Sequence, residues 1–291
     1  VTEFILVGLT DVLEWHVPVF TIFTLIYLLT LVGKLGMILL ILLDSRLHTP
    51  MYFFLSNLSL LDCVYASAVN PKVMERFLTG DKIISYNSCA DQMFFFSAFV
   101  TVESFLLASM AFDRHAAVCK PLHYTTTMTS TMYVPIVTCF YFSVFLQSSI
   151  NVAFTFHLFF CHSNVINHFF CDTPPVLDLS CSGIYINEIV LLILATLDIA
   201  FTLLVILNSY LLIFIIILRM RSAEGQRNAF ATSIFMYPQL SSSHSMDNDK
   251  IASVFYTMVI PMVNPLVYNL RNKEVKRSFK NVLEKQIIYW V

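Results

Sequence analysis

Three groups of side chains in this 291-residue chain have types and spacings that could do chemistry. The first is acidic. Asp62 and Glu103 lie inside otherwise apolar stretches, as do Asp198 and Asn264. Two carboxylates brought together repel unless a cation or a proton lies between them, so Asp62 and Glu103 are read as a shared cation or proton site. Asp198 is read as polarity within the packing, satisfied by water or by Ser and Thr hydroxyls. The second group is "MAFDRHAAVCKPLHY", residues 110 to 124, where Asp113 and Arg114 follow a run from Ser97 to Ala111 whose one charge is Glu103. Such a pair serves either to anchor a helix end at an interface or to act as a latch. The third group is the cysteines. Cys63, Cys119 and Cys139 fall in apolar runs or beside basic segments and are expected to be free, which leaves Cys89, Cys161, Cys171 and Cys181. No His/Cys cluster has structural-zinc spacing, no Gly-rich phosphate loop occurs, and no local motif marks a Ser or His nucleophile. The chain is therefore not read as an enzyme, and no cofactor is expected.

Charges placed among apolar residues need elements that can hold them there. The chain is 57% hydrophobic and only 12% charged, with 27 Phe and 12 Met against 6 Gly. That is too little charge to surface a soluble domain of this size, and the pattern suits side chains that pack on one another and on lipid. The formal charge of −2 gives no sign of nucleic acid. Apolar runs at 17–43, 51–74, 91–111, 132–156, 184–218 and 251–270 are each long enough for a helix of roughly 20 residues to cross a hydrocarbon core. Basic residues gather after the first, third and fifth runs and again in 271–291, so these ends are expected to face the cytoplasm, with the amino terminus outside. That arrangement needs an odd number of crossings. The missing one falls in 227–245, where the apolar part, Ala229 to Leu240, spans only ~18 Å as a helix. On this topology the four remaining cysteines lie on the oxidising outer side and can form two bridges, with three pairings open. Short connectors and the lack of an internal repeat give a single domain over 1–291. A channel or transporter is the more distant alternative, because a transporter usually shows repeats and broken helices.

Several fragments then carry a resemblance: "EFILVGLTD" at 3 to 11, "LHTPMYFFLSNLSLLD" at 47 to 62, the Asp113-Arg114 segment, "RSAEGQRNAFATS" at 221 to 233 and "PMVNPLVYNLRNKEV" at 261 to 275. In this order the sequence resembles the olfactory (odorant) receptors, a branch of the rhodopsin-like G-protein-coupled receptors. The resemblance implies an all-α membrane protein, a seven-transmembrane helix bundle whose sixth helix is abnormally short. It implies that Asp113 and Arg114 form the cytoplasmic switch of the third helix, with Tyr210 and Tyr268 stabilising the active arrangement. It selects the pairs Cys89 with Cys171 and Cys161 with Cys181. It marks Asp62, Glu103 and Asn264 as the polar core, with Asp62 and Glu103 as a candidate sodium site. For the odorant cavity it suggests Ser97, Val100, Thr101 and Ser104, faced by Leu194 and Asp198. The implied partners are a small volatile odorant, a heterotrimeric G-protein of the stimulatory olfactory type that raises cyclic AMP, and membrane lipid. The implied location is the plasma membrane, with the carboxyl terminus in the cytoplasm.

The chain departs from the family pattern in four places. Ala231-Thr232-Ser233 joins Ile234-Phe235-Met236-Tyr237 directly, as though roughly four helical turns had been lost. This raises a second reading, a non-signalling or misfolded relative retained in the endoplasmic reticulum. Lys34 follows Gly33 where the family has Asn, and its ammonium must snorkel, lose its proton or find a carboxylate such as Asp62. Residue 1 is Val, and the head has no N-x-[ST] acceptor, which leaves the completeness of the start open. His115 stands where Tyr usually follows Asp-Arg.

Overall fold

A computed structural model describes residues 2–7, 16–80, 82–160, 164–168, 170–181, 183–219 and 277. The shortened segment 227–245, the run 251–270 and, apart from Arg277, the tail 271–291 lie outside these residues, and so do Asn264, Tyr268 and Cys161.

In hydrocarbon a backbone N–H or C=O has no water to bond, so an apolar run must satisfy its own polar groups, and a helix does this along its whole length. Five long helices result: α1 (His16–Leu43), α2 (Pro50–Thr79), α3 (Tyr86–Cys119), then α5 (Ser130–Phe156) and α7 (Tyr185–Arg219), with the short α4 (Tyr124–Thr127) and α6 (Thr173–Leu177) between them. Among the described residues four stretches are long and apolar enough to cross a membrane: Phe20–Leu43 in α1, and all of α3, α5 and α7. The 30-residue α2 carries Asp62, Lys72, Glu75 and Arg76, and so is more polar. Hydroxyls inside the helices bond back one turn, as Thr24 does to the Phe20 carbonyl at 2.8 Å and Thr30 to that of Ile26 at 2.8 Å. These bonds let them sit in lipid without an unmet donor.

Element ends follow local chemistry. At the start of α3, Ser85 accepts from the Ser88 N–H at 3.3 Å, a side-chain cap. At its other end Lys120 precedes Pro121, and the proline ring drives the residue before it out of the helical region, to φ −134° and ψ 59°. Without Pro121 nothing local would stop α3 there.

α3 is the central helix, packed against α2, α5 and α7, while α1 packs on α2. The main core joins Phe54, Leu58, Leu61 and Tyr65 of α2 to Val102, Phe105, Leu106 and Met110 of α3 and to Val137 and Val144 of α5. The opposite faces of α1 and α7 expose Leu29, Val32, Leu39 and Leu42, and Leu192, Leu197, Leu204 and Leu207. So many bare leucines on outward faces are the surface of a protein dissolved in lipid.

At the amino-terminal end of α3 a small sheet packs against the helix. β1 (Glu3–Leu6) lies between β2 (Ile83–Ser85), which is antiparallel to it, and β3 (Val165–Ile166), which is parallel. Phe4 is fully buried, stacked on Tyr86 and edge-on to Phe160.

Candidate functional site

The residues expected to carry function fall into three zones along α3. Nearest the sheet, Ser97, Val100, Thr101 and Ser104 have the i, i+3, i+4, i+7 spacing that puts them on one helical face. All four are half-buried. Thr101 donates to the Ser97 carbonyl at 2.9 Å and Ser104 to that of Val100 at 3.1 Å. Ser97 Oγ lies 3.0 Å from Ser148 Oγ of α5, so this face is tied to a neighbouring helix. On α7, Leu194 and Asp198 are half-buried. Gln147, adjacent to Ser148 on α5, donates its side-chain amide to the Asp198 carboxylate at 2.7 Å. Ser97 and Asp198 are thus linked to consecutive residues of α5. Gln147 and Ser148 went unnoticed in the sequence, where the signal was available: a polar pair in the middle of an apolar run.

The middle zone is the polar core. Asp62 and Lys34 form an ion pair between α1 and α2, with side chains 4% and 1% exposed. Glu103 of α3 is half-buried. Of the three fates open to Lys34, pairing with a carboxylate is the one observed. No cluster of three or more His, Cys, Asp or Glu side chains suited to a metal occurs among the described residues.

At the end of α3 farther from the sheet Asp113 is buried and Arg114 half-buried. Asp113 accepts a hydrogen bond from the Tyr124 hydroxyl at 2.9 Å. The Arg114 guanidinium points to the Met51 sulfur at the start of α2. The two side chains therefore engage different elements. Tyr124 was overlooked because it sits eleven residues on in sequence, beyond the break at Pro121 that turns the chain back beneath α3. Burial first, then the Asp113 charge and the hydrogen bond to it, push the Tyr124 hydroxyl well above its ordinary range and keep it a donor. Tyr210 of α7 packs against Ala108 and Ala111 of α3, and its buried hydroxyl has no hydrogen-bond partner among the described residues.

At the sheet end of α3, Cys89 is bonded to Cys171, with Cα atoms 5.4 Å apart. The Cys171 N–H donates to the Gln92 side chain at 2.9 Å, one turn along α3 from Cys89. Cys181 is also disulfide-bonded, while its expected partner Cys161 lies outside the described residues. Cys63, Cys119 and Cys139 are free thiols.

A central helix, a loop bridged to one end of it and an acid-base pair near the other are features that comparison can place in a family. The olfactory receptor family model matches residues 23–286. The chain belongs to the olfactory receptor family. Olfactory receptor 5B12 of Homo sapiens is 60% identical over 98% of this chain and 95% of its own length. Human olfactory receptor 5B2 is 58% identical over 98% and 97%, and olfactory receptor 5B21 of Mus musculus is 54% identical over 98% and 94%. Members of this family are multi-pass G-protein-coupled receptors built as seven-helix bundles, so the receptor is not an enzyme. The alignment with the first of these relatives runs over 299 positions, more than the receptor's 291 residues, so that relative has residues the receptor lacks.

Proposed function

We propose that this olfactory receptor binds a small volatile odorant between α3 and α7 and couples to a stimulatory, olfactory-type G-protein, raising cyclic AMP. The observation that carries the reading is the α3 face of Ser97, Val100, Thr101 and Ser104, with Asp198 brought to the same pair of α5 residues. Apolar walls with a few fixed hydroxyls and one acid suit a small, mostly apolar ligand oriented by one or two polar groups. Ligand affinity that differs between resting and active bundles is what shifts the population. Arg114, with Asp113 engaged by Tyr124, is the group exposed to the G-protein, and Tyr210 is placed to meet it once the bundle opens. The amino terminus faces outward and the carboxyl terminus the cytoplasm, with lipid around the bare leucine faces. The test is a cyclic AMP reporter challenged with an odorant panel, with Arg114→Ala as a control that must abolish any response.

A second reading has its own observation. Residues present in a relative are absent here, and the resemblance places the interruption at the direct junction of Ser233 with Ile234, which supports this reading. On that reading the chain is a non-signalling receptor held in the endoplasmic reticulum. Epitope tags at both termini, stained before and after permeabilisation, separate the two: a surface pool with an internal carboxyl terminus supports the first, and an absent surface pool supports the second.

A further inference from the structure

We propose that Lys34 is the resident cation of the polar core: its ammonium, tethered through α1, holds the position on Asp62 that a diffusible cation would take, so the folded bundle has no need of sodium there. The placement starts with the helix. Phe23, Thr30, Lys34, Met37 and Ile41 form the buried stripe of α1, and Lys34 lies in the middle of it at 1% exposure. Leu43, the nearer end of α1, is nine residues away, about 13 Å along the axis, which is beyond the reach of a lysine stem of about 6 Å. The ammonium therefore cannot snorkel to water. A lysine in such a place persists only with a partner, and Asp62 supplies it from the facing stripe of α2 that includes Leu55, Leu58, Ser59 and Ala66.

The charges then decide what else can bind. With Lys34 in place Asp62 is neutralised from within the chain, and a metal cation arriving at the same carboxylate would sit beside a fixed positive charge, which disfavours it. Of the two carboxylates that made a sodium site plausible in the sequence, Asp62 is the one already occupied. The same pair fastens α1 to α2 by a bond that neither helix can release without exposing a charge to lipid. The inference concerns the core alone and stands whatever odorant the receptor binds.

The experiment uses the full-length receptor in lipid nanodiscs, with unfolding followed by a thiol-reactive dye that reports exposure of Cys63, a buried free thiol next to Asp62 in sequence. The midpoint is measured in rising sodium chloride against choline chloride at equal ionic strength. The unsubstituted receptor is expected to show the same midpoint in both salts. Lys34→Met, which leaves Asp62 alone, is expected to lower the midpoint by on the order of 10 °C, and adding Asp62→Leu to recover much of the loss. Lys34→Asn, which empties the place without filling it with an apolar group, is expected to gain a rise specific to sodium. A sodium-specific rise in the unsubstituted receptor overturns the proposal, and this measurement needs no variant to fold. So does a Lys34→Met receptor as stable as its parent, or a Lys34→Asn receptor indifferent to sodium.

Discussion

Lys34, Asp62, Asp113, Arg114 and Asp198 each meet a partner supplied by another element. Lys34 and Asp62 could be paired on paper because a lysine without water needs a carboxylate, and the sequence offers few. The Tyr124 contact to Asp113 could not, because it depends on where the chain goes after Pro121. Tyr124→Phe removes the hydroxyl while keeping the ring, leaving a buried carboxylate with one bond fewer. A hydrogen bond to a charged group contributes about 1.5–3 kcal/mol, so the purified receptor is expected to unfold several degrees earlier in a thermal melt. A higher basal cyclic AMP signal is expected in cells, since Asp113 is then less firmly held. The pH dependence has a definite sign. The Tyr124 pKa is raised in the folded receptor, so its contribution is fully present below the ordinary tyrosine value of 10.0 and is lost only as the pH climbs towards the raised one. Thermal midpoints of the receptor and of Tyr124→Phe should therefore differ by the same amount at pH 6 and pH 9. A gap that closes by pH 9 would count against the hydroxyl as donor.

Among elements, the long helices were the legible part and the outer sheet was not. An apolar run of twenty or more residues with no water around it has one outcome, so α1, α3, α5 and α7 announce themselves by composition. β1 is four residues long and pairs in parallel with Val165–Ile166, about 160 residues away, and no local pattern signals a ladder of that kind. What fixes it is Phe4, wholly buried between Tyr86 and Phe160. Phe4→Ala is expected to cost about 3–5 kcal/mol in this outer layer and to free the head of the chain, read as faster proteolytic clipping of an amino-terminal tag on intact cells. The Cys89–Cys171 bridge holds the same layer from the other side, and closes a long loop across 82 residues. Losing it through Cys89→Ser is expected to remove about 2–5 kcal/mol and most of the surface pool, measured by tag staining without permeabilisation. The residues between β3 and α7 thus owe their position to a covalent tie at one place and to packed rings at another. The pairing of Cys89 came from family resemblance, since elimination alone left three pairings.

For the whole molecule, the seven-helix fold of the family meets a sequence in which the segment expected to form the sixth span, 227–245, has an apolar part only from Ala229 to Leu240. Ala229 to Leu240 would span ~18 Å as a helix against a hydrocarbon core of ~30 Å, a mismatch of about 12 Å. At a fraction of a kcal/mol for each ångström, the deficit is several kcal/mol, comparable with the whole stability of many domains. A bundle can meet such a cost by thinning the bilayer around it, and a cell can meet it by retaining the product. Inserting about four helical turns of apolar residues between Ser233 and Ile234 would make the expected span long enough to cross the core while altering none of the described residues. The lengthened receptor is expected to reach the cell surface in greater amount, and its cyclic AMP response to an odorant panel is expected to appear or to grow. The readouts separate two causes. More surface protein without a response would assign the short span to folding and leave signalling limited by another residue, with His115 beside Arg114 the first to change to Tyr. A surface pool already present in the parent and unchanged by the insertion would mean that the expected short span does not hold the protein back, and the reading of a retained, non-signalling relative would then fail.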